Sequence, residues 1–277
     1  MCNTHDKLVP QVGKIINIFT ETKDTKTFHI VLENNNMVLN HKPGQCAMIG
    51  IPGISEAMFS ISSSPTEINH MEFSIKAVGR LTNHLHALDI GSKVTIRGAY
   101  GTPFPVEEAL KNKNLLFIAG GIGIAPLRSV IKYTFDNRSN YGNIDIVYGS
   151  RTSADLVFYN EISKEWVEKS DTNIHLTIDK PEENWNGHVG FVPSYIEELA
   201  FDNNKTALVC GPPIMIKYTL EALIKMGFKK EQVYTTLEMR MKCGIGKCGR
   251  CNIGSKLICK DGPVFRCDEL DYLPDEY

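Results

Sequence analysis

Residues 114–135, NLLFIAGGIGIAPLRSVIKYTF, decide the fold of this 277-residue chain. The stretch opens with an apolar run typical of a buried strand, and a glycine-rich turn follows. Pro126 suits the first turn of a helix, and Leu127, Val130 and Ile131 then recur at helical spacing. The stretch therefore predicts a strand, a tight turn and a helix in succession.

The same unit recurs further along the chain. The apolar runs NIDIVYGS, NIHLTID and TALVCG each precede a segment with helical periodicity, and EQVYTTLE closes the series. Strands that alternate with helices predict a mostly parallel sheet, which binds ligands beyond the carboxyl ends of its strands. We therefore expect an α/β domain with a doubly wound parallel sheet over residues 111–237.

The N-terminal part has a different pattern of apolar residues. Between residues 12 and 104 lie six short β-like runs separated by Gly, Pro and Asn, namely VGKIINIF, KTFHIVLE, QCAMIGIP, MFSISSS, MEFSIKAVG and SKVTIRG. Short strands at such spacing are typical of an antiparallel barrel or sandwich. We predict an antiparallel β-barrel domain over residues 1–110.

The composition argues against several classes of function. The chain is 42% hydrophobic and 22% charged, with a formal net charge of -2 and no block of like charge. It therefore lacks the charged surface that attracts nucleic acid or a membrane. The apolar stretch 115–127 is too short to span a bilayer, and the N-terminus lacks the pattern of a secretion signal. We expect a cytoplasmic protein with no nucleic-acid or membrane partner.

Four of the eight cysteines lie close together near the C-terminus. Cys243, Cys248, Cys251 and Cys259 have the spacing C-x4-C-x2-C-x7-C, and its first three positions match plant-type [2Fe-2S] proteins. Glycines between these cysteines permit the backbone conformations that a loop around a cluster needs. In a reducing cytosol, clustered cysteines are more often metal ligands than disulfides. We predict a small [2Fe-2S] subdomain over residues 238–277.

Two other uses of these cysteines are open. A structural zinc site normally takes two C-x2-C pairs, and only one is present here. A thioredoxin-like use of Cys248 and Cys251 is disfavoured because no βαβ unit surrounds them. Cys267 is the one substitute ligand, whereas Cys2 and Cys46 are interpreted as ordinary thiols.

Two turns in the predicted α/β domain suit a nucleotide. AGGIGIAP at residues 119–126 and CGPPIM at residues 210–215 each lie between a strand and a helix, where N–H groups attract a pyrophosphate. The first reads G-x-G-x-x-P rather than G-x-G-x-x-G, and a simple turn also uses glycine. A second turn of the same kind at the same sheet edge favours a nucleotide site.

The two turns, with YGSRTSADLVF between them, resemble the ferredoxin-NADP reductase superfamily. In that superfamily a β-barrel binds flavin and the following α/β domain brings nicotinamide to the flavin ring. The tail, RMKCGIGKCGRC and then CKDGPVF, is similar to iron-sulfur flavoprotein subunits of dihydroorotate dehydrogenase, soluble hydrogenases and anaerobic sulfite reductase. The resemblance covers nearly the whole chain and is closest to the iron-sulfur flavoprotein of anaerobic sulfite reductase.

The resemblance implies a nicotinamide-nucleotide site. NADH is expected in preference to NADPH, because Arg151 has no second cation beside it to bind a 2′-phosphate. Cys210 could equally be a small buried side chain, as free cysteines usually are. The pyrophosphate turn would be Gly120, Gly121, Gly123 and Pro126, the adenosine end Ser150, Arg151 and Asp155, and the nicotinamide end Cys210, Gly211, Pro212 and Met215.

The flavin site departs from the family pattern. The family's Arg-x-Tyr-Ser reads AMFS here, so Ala57 replaces the arginine that binds a flavin phosphate. The family's G-x-x-T survives as GRLT, where Thr82 and the helix N-terminus could hold a phosphate and Arg80 could replace the missing charge. We expect FAD, with FMN as the alternative. The implied flavin residues are Met58, Phe59, Ser60, Ile75, Lys76, Ala77, Gly79, Arg80, Leu81 and Thr82.

These parts imply an NAD(P)H-dependent oxidoreductase subunit that passes electrons from NADH through a flavin and a [2Fe-2S] cluster to a partner. No side chain is assigned as an acid or base, because the cofactors carry the chemistry. The resemblance implies iron-sulfur and sirohaem subunits as partners, and anaerobic reduction of sulfite to sulfide. Dihydroorotate dehydrogenase or soluble hydrogenase is the alternative complex. The non-enzyme alternative is a zinc-binding regulatory or assembly subunit with an empty flavin barrel.

Overall fold

A computed structural model describes residues 7–33 and 38–273, so Cys2 lies outside the described residues. All six β-like runs of the N-terminal part are strands. The elements of this part are β1 (Gln11–Thr22), β2 (Thr25–Leu32), β3 (Cys46–Ile51), β4 (Ser55–Ser60), β5 (Met71–Lys76), α1 (Arg80–His86) and β6 (Lys93–Tyr100). The antiparallel prediction is confirmed, because every strand pair in this sheet is antiparallel.

The barrel sheet has the order β4-β3-β6-β1-β2-β5, which leaves β4 and β5 at its edges. Alternate residues along the strands point inwards, as the period of two requires. The resulting core includes Ile15, Phe28, Ile49, Phe73 and Ile96, and none of these is more than 1% exposed. The edge strand β4 is different, since it is only half-buried along most of its length.

The predicted strand, turn and helix at residues 114–135 are also confirmed. They form β7 (Asn114–Gly120), a 3-10 turn at Gly121–Gly123 and α2 (Ile124–Asp136). The elements that follow are β8 (Ile144–Ser150), α3 (Tyr159–Lys164), β9 (Thr172–Ile178), β10 (His188–Val189), α4 (Val192–Leu199), β11 (Lys205–Cys210), α5 (Pro213–Lys225) and β12 (Val233–Thr236). Helix α3 is shorter than its sequence period suggests, because the chain continues as a separate 3-10 turn at Trp166–Glu168.

The second sheet has the order β10-β9-β8-β7-β11-β12 and ends with β15 (Val264–Arg266). Its first six strands run parallel. Helices cover both faces. Helix α2 packs on one face through Leu127 and Ile131, whereas α4 and α5 pack on the other through Ile196 and Leu223. This is the doubly wound arrangement, and it brings the carboxyl ends of β7 and β11 side by side.

The C-terminal tail is joined to this sheet by a strand that the sequence analysis did not predict. After β13 (Asn252–Ile253), β14 (Lys256–Leu257) and α6 (Ile258–Asp261), the chain forms β15 (Val264–Arg266), which pairs antiparallel with β12. Three residues are too few to show a strand period. The predicted domain boundary at residue 110 falls between β6 and β7, and the one at residue 237 falls just after β12. Both boundaries stay predictions.

Candidate functional site

Cys243, Cys248 and Cys251 lie on the loop between β12 and β13, and Cys259 lies in the short helix α6. Cys251 and Cys259 are buried, Cys243 is partly exposed and Cys248 is exposed. The Sγ atom of Cys243 accepts backbone N–H groups of Ile245 at 3.5 Å, Lys247 at 3.3 Å and Cys248 at 3.5 Å. Backbone N–H groups aimed at cysteine sulfur are the hydrogen bonds that tune iron-sulfur clusters.

Glycine makes this loop conformation accessible. Gly244, Gly246 and Gly249 have φ values of 78°, 74° and 71°. This left-handed region costs other residues about 1–2 kcal/mol each. At Gly246 the conformation also places the backbone N–H 3.2 Å from the Sγ atom of Cys259. The glycines therefore shape the loop and direct donors towards two of the four sulfurs.

The thiols affect one another's ionisation, since Cys248 acts on Cys243, and both Cys251 and Cys243 act on Cys259. Burial opposes ionisation of Cys243, but the three N–H groups and Cys248 outweigh it and lower the pKa of Cys243 to about 6. Burial, and then the neighbouring Cys251, raise the pKa of Cys259 to about 12. Thiolate is the metal-binding form of cysteine. Two buried thiols this close ionise together when a cation compensates their charge.

The spacing of the sulfurs argues against a single zinc ion. Four cysteines around a single zinc lie at about 2.3 Å from it and hence roughly 3.8 Å from one another. In residues 7–33 and 38–273, however, the one trio of His, Cys, Asp or Glu ligand atoms within 4.8 Å of each other contains no cysteine. An iron-sulfur cluster spreads its ligands over more than one metal atom, and its two-iron form stays a prediction.

The remaining thiols lie elsewhere. Cys267 is buried in the α/β core with Val233 and Phe228. Cys46 is buried at the start of β3, and its Sγ donates to the carbonyl oxygen of Tyr100 at 3.6 Å. These positions leave Cys259 as our choice of fourth ligand.

One arginine, which the sequence analysis missed, bonds the barrel to residues 242–251, the segment called the cysteine loop from here on. The guanidinium of Arg97 on β6 donates to the carbonyl oxygens of Lys242 at 2.6 Å and Cys243 at 2.7 Å. It also donates to the Tyr100 hydroxyl at 3.0 Å and to both carboxylate oxygens of Glu56, at 2.9 Å and 2.5 Å. The sequence hints at the role of Arg97 in one way, because a charged residue inside an otherwise apolar strand needs polar partners.

An apolar cluster lies between the cysteine loop and β4, the strand that carries the predicted flavin residues (the flavin strand). Ile245 lies between the first two cysteines of the loop, and Met58 lies in the AMFS segment of β4. Both pack against the same buried group, which consists of Cys46, Met48 and Tyr100 and is also contacted by Met241. The structure therefore places the predicted cluster loop and the predicted flavin strand against one small contact region.

The AMFS segment retains groups that fit a flavin ring. Met58 and Phe59 are half-buried apolar side chains on the edge strand β4. The hydroxyl of Ser60 makes no hydrogen bond with any described residue. Because successive side chains of a strand point to opposite faces, Phe59 packs on the barrel core and Met58 packs on Cys46, Met48 and Tyr100. The open edge of β4 and the Ser60 hydroxyl are therefore the groups that this segment offers to the polar edge of an isoalloxazine ring.

The GRLT turn is built by Thr82. Its hydroxyl accepts the N–H groups of Val78 and Gly79, both at 2.9 Å, and donates to the carbonyl oxygen of Gly79 at 3.0 Å. Because these bonds occupy the hydroxyl, Thr82 shapes the turn rather than reaching outwards. Arg80 is exposed and its guanidinium has no partner in the described ranges, so it can supply the charge that Ala57 lacks.

The other flavin candidates lie around the same turn. Ile75 and Leu81 are buried in the barrel core. Lys76 is exposed and forms an ion pair with Asp24 at 3.1 Å, and Ala77 is half-buried.

The two nucleotide turns touch each other. A Cβ atom on Gly123 would overlap the carbonyl oxygen of Cys210, and one on Gly120 would overlap the sulfur of Met215. Gly121 has a φ of 54° and open space on its Cβ side. The two turns are therefore closely packed against each other, and open space remains beside Gly121. A pyrophosphate there could accept hydrogen bonds from the backbone N–H groups of the turn.

Near these turns, Pro126 lies in the first turn of α2, and Pro212 immediately precedes α5. A Cβ atom on Gly211 would come within 2.7 Å of the terminal methyl group of Met215. These residues fix the entry of both helices beside the turns.

Cys210 is a thiol rather than a thiolate. It is 2% exposed, and its Sγ accepts the Thr236 hydroxyl at 2.9 Å. Burial, with a smaller contribution from the Glu238 carboxylate, raises the pKa of Cys210 to about 12. Burial and the same carboxylate also raise the pKa of Cys46. Glu238, which the sequence analysis missed, therefore lies close to both the nicotinamide end and the barrel.

Two exposed cations, Arg151 and Lys180, lie near the carboxylate of Asp179 at the adenosine end. The hydroxyl of Ser150 donates to the carbonyl oxygen of Thr152 at 2.5 Å, and the Asp155 carboxylate accepts the Thr152 hydroxyl at 2.7 Å. Burial raises the pKa of Asp179, and both cations oppose that effect. A carboxylate at this place suits the ribose hydroxyl of NADH, whereas the two cations suit a 2′-phosphate.

Three family models match successive parts of the chain. They are described as Oxidoreductase FAD-binding domain over residues 13–104, Oxidoreductase NAD-binding domain over 117–221, and Iron-sulfur cluster binding domain of dihydroorotate dehydrogenase B over 238–271. Sulfhydrogenase 1 subunit gamma of Pyrococcus furiosus is 42% identical over 261 residues, which cover 91% of this chain and 89% of the relative. The chain belongs to the ferredoxin-NADP reductase superfamily, among its iron-sulfur flavoprotein electron-transfer subunits.

Two further proteins are similar to this electron-transfer subunit. A probable dihydroorotate dehydrogenase B (NAD(+)) electron transfer subunit of Methanocaldococcus jannaschii is 32% identical, and the match covers 95% of this chain and 92% of that relative. The solved NADH-dependent reduced ferredoxin-NADP oxidoreductase has the same fold, with a TM-score of 0.74, 24% identity, and coverage of 96% of this chain and 93% of its own.

The electron-transfer subunit is thus an NAD-dependent oxidoreductase with domains for FAD, NAD and an iron-sulfur cluster, and it works with a partner catalytic subunit. Across the described residues, no helix has the length and apolar character needed to cross a bilayer.

Proposed function

We propose that this subunit oxidises NADH and delivers electrons one at a time, through a [2Fe-2S] cluster, to a hydrogenase-type catalytic partner. Bound FAD supplies the conversion of a hydride into single electrons, and the cluster supplies one-electron transfer. The protein contributes binding, orientation and exclusion of competing reactions.

The observation that carries this proposal is the contact between the cysteine loop and the flavin strand. Ile245 of the loop and Met58 of β4 pack on the same buried group, and Arg97 fixes the first ligand's carbonyl oxygen at 2.7 Å. A loop held this firmly against a ring-binding strand gives a short and fixed distance between the two redox groups. A zinc-binding assembly protein has no need of such a contact.

The residues around the nicotinamide end have positioning roles. Ser60 offers a free hydroxyl on the barrel side. Cys210 remains an uncharged thiol on the α/β side, because burial raises its pKa to about 12. A neutral, closely packed surface allows two flat rings to stack without water between them. The Asp179 carboxylate, which suits the ribose hydroxyl of NADH, is the reason that NADH is proposed rather than NADPH.

The comparisons favour a hydrogenase or dihydroorotate dehydrogenase complex over the sulfite reductase complex that the sequence analysis placed first. The gamma subunits of two Pyrococcus furiosus sulfhydrogenases are 42% and 37% identical to this chain, whereas the dihydroorotate dehydrogenase subunit is 32% identical. The hydrogenase-type partner is therefore our first choice. A cytoplasmic location is part of the same proposal.

Purification of the tagged chain from its native host, under anaerobic conditions, tests the partner. The proposal predicts a complex that evolves hydrogen from NADH. A complex that oxidises dihydroorotate and evolves no hydrogen would replace the hydrogenase assignment with the dihydroorotate one. A sirohaem-containing complex that reduces sulfite would overturn both.

A further inference from the structure

A second group of metal-ligating side chains lies on the barrel, on elements separate from the cysteine loop. His29 is on β2, and Glu72 is directly opposite it on the neighbouring edge strand β5. His70 lies just before β5. The electron-transfer function described above assigns no role to these three residues.

Their ligand atoms converge. The Nε2 atom of His70 is 3.3 Å from Oε1 of Glu72, and Nε2 of His29 is 3.9 Å from the same oxygen. All three ligand atoms lie within 4.8 Å of one another. Ligands around a tetrahedral zinc at about 2.0–2.1 Å are roughly 3.4 Å apart, so small side-chain shifts would close the site.

Stacking of the two imidazoles does not by itself explain the group. The rings stack with centroids 4.0 Å apart and 12° between their planes. The side chain of His29 is only 17% exposed, yet it makes no hydrogen bond with any residue that the structure describes. The ring nitrogens of His29 are accessible to solvent, so a cation in solution has access to them.

Outer contacts orient two of the three ligands. Oε2 of Glu72 accepts a hydrogen bond from Arg128 of α2, which leaves Oε1 facing the histidines. Arg128 is held in turn by the carbonyl oxygen of Ser62 at 3.0 Å and by Glu161 at 2.8 Å. Outer partners of this kind are typical of metal-binding carboxylates.

His70 has a similar arrangement. Its Nδ1 atom is 3.8 Å from a carboxylate oxygen of Glu67. Its Nε2 atom is within hydrogen-bond distance of Oε1 of Glu72, at 3.3 Å, so an Nε2–H donates to that carboxylate when no ion is bound. A cation would replace this proton, and the Glu67 carboxylate would then favour the proton on Nδ1.

The surrounding charge also favours a cation. The carboxylates of Glu67 and Glu72 face the group directly, and Glu161 lies beyond Arg128. The cations on this side are Arg128 and Lys132, of which Lys132 is 3.6 Å from Glu161. Carboxylates therefore outnumber cations around the two histidines.

We propose that His29, His70 and Glu72 bind one zinc ion, with water in the fourth position. Two imidazole nitrogens and one carboxylate oxygen are ligands that zinc accepts readily. The ion would link β2 to the edge strand β5. Through Glu72 and Arg128 it would also reinforce the contact between the barrel and α2.

Equilibrium dialysis of the anaerobically purified holoprotein against a zinc buffer tests this proposal. We expect one zinc per chain beyond the cluster metal, with iron and sulfide contents unchanged. His29→Gln and His70→Gln should each weaken zinc binding at least about tenfold, as loss of a supporting interaction alone can do. His188→Gln is the matched control, because His188 also stacks on an aromatic ring and contacts a carboxylate, Glu198, at 3.0 Å.

X-ray absorption at the zinc edge separates this site from the cysteine loop. The proposal predicts nitrogen and oxygen ligands at about 2.0–2.2 Å and no sulfur ligand at about 2.3 Å. Sulfur ligation, zinc uptake that matches iron loss, or zinc binding by both histidine variants as tight as that of wild type would overturn the proposal. Failure of wild-type protein to take up zinc would overturn it as well.

Discussion

Replacement of Arg97 by methionine tests how the cysteine loop is held against the barrel. Arg97 is 6% exposed and donates to the carbonyl oxygens of Lys242 at 2.6 Å and Cys243 at 2.7 Å. Methionine is a long, flexible apolar side chain that fills much of the same space, but it removes every donor. The variant therefore isolates the hydrogen bonds from most of the packing.

The expected effect can be estimated from the two bonds to the loop. A hydrogen bond with one charged partner contributes about 1.5–3 kcal/mol. Two such bonds contribute about 3 kcal/mol at the lower end of that range. Each 1.4 kcal/mol changes an equilibrium constant tenfold, so the loss of about 3 kcal/mol should raise the population of the opened loop about 100-fold. The Arg97 site is buried, so water does not replace the lost donors easily.

Iron release measures this opening. Anaerobic holoprotein is mixed with an excess of a ferrous iron chelator, and the visible absorption of the cluster is followed with time. Arg97→Met should lose iron about 100-fold faster than wild type, as the estimate above requires. Glu56→Gln is the control, because it removes a partner of Arg97 but leaves both bonds to the loop. Equal iron release from Arg97→Met and wild type would refute the reasoning.

Three further predictions concern the cluster, the nucleotide turn and the α/β core. Cys259→Ser should abolish or strongly perturb the cluster absorption, whereas Cys267→Ser should leave it intact; the reverse would show that the fourth ligand is wrongly assigned. Gly123→Ala should raise the KM for NADH about tenfold, or about 1.4 kcal/mol, without changing the cluster spectrum, because its Cβ would push the two turns apart; an unchanged KM would contradict this. Hydrogen bonds, including one from Lys205 at 2.8 Å, outweigh burial and lower the pKa of Asp145 to about 2. Its stabilisation is present above the unfolded-state pKa near 3.8 and lost as pH falls through about 2. Asp145→Asn should therefore lower the unfolding free energy by about 1–2 kcal/mol equally at pH 8 and pH 9 in urea titrations, where the histidine partner His175 keeps one charge state; a difference between those two pH values would contradict this reasoning.

Features that a short stretch of chain encodes were predictable from sequence. The six barrel strands have a local apolar pattern, and residues 114–135 contain a strand, a glycine turn and a helix in one continuous segment. The cysteine spacing is equally local. These parts specified the fold class and the types of cofactor.

Features that depend on distant contacts were not predictable. Arg97 contacts the loop 145 and 146 positions away in the chain. His29 meets Glu72 only because β2 and β5 are neighbours in the sheet. The role of Thr82 also differs from the expectation, since its hydroxyl bonds with its own turn rather than facing a phosphate. Pattern and spacing do not show which way such a side chain turns.

The central claim is that NADH reduces the cluster through a bound flavin, and an anaerobic titration tests it most directly. NADH is added stepwise to the purified holoprotein while flavin absorption and the paramagnetic signal of the reduced cluster are recorded. We expect the flavin to bleach and the cluster signal to appear as NADH is consumed. Purified protein without flavin, or flavin that bleaches without any cluster signal, would contradict the account.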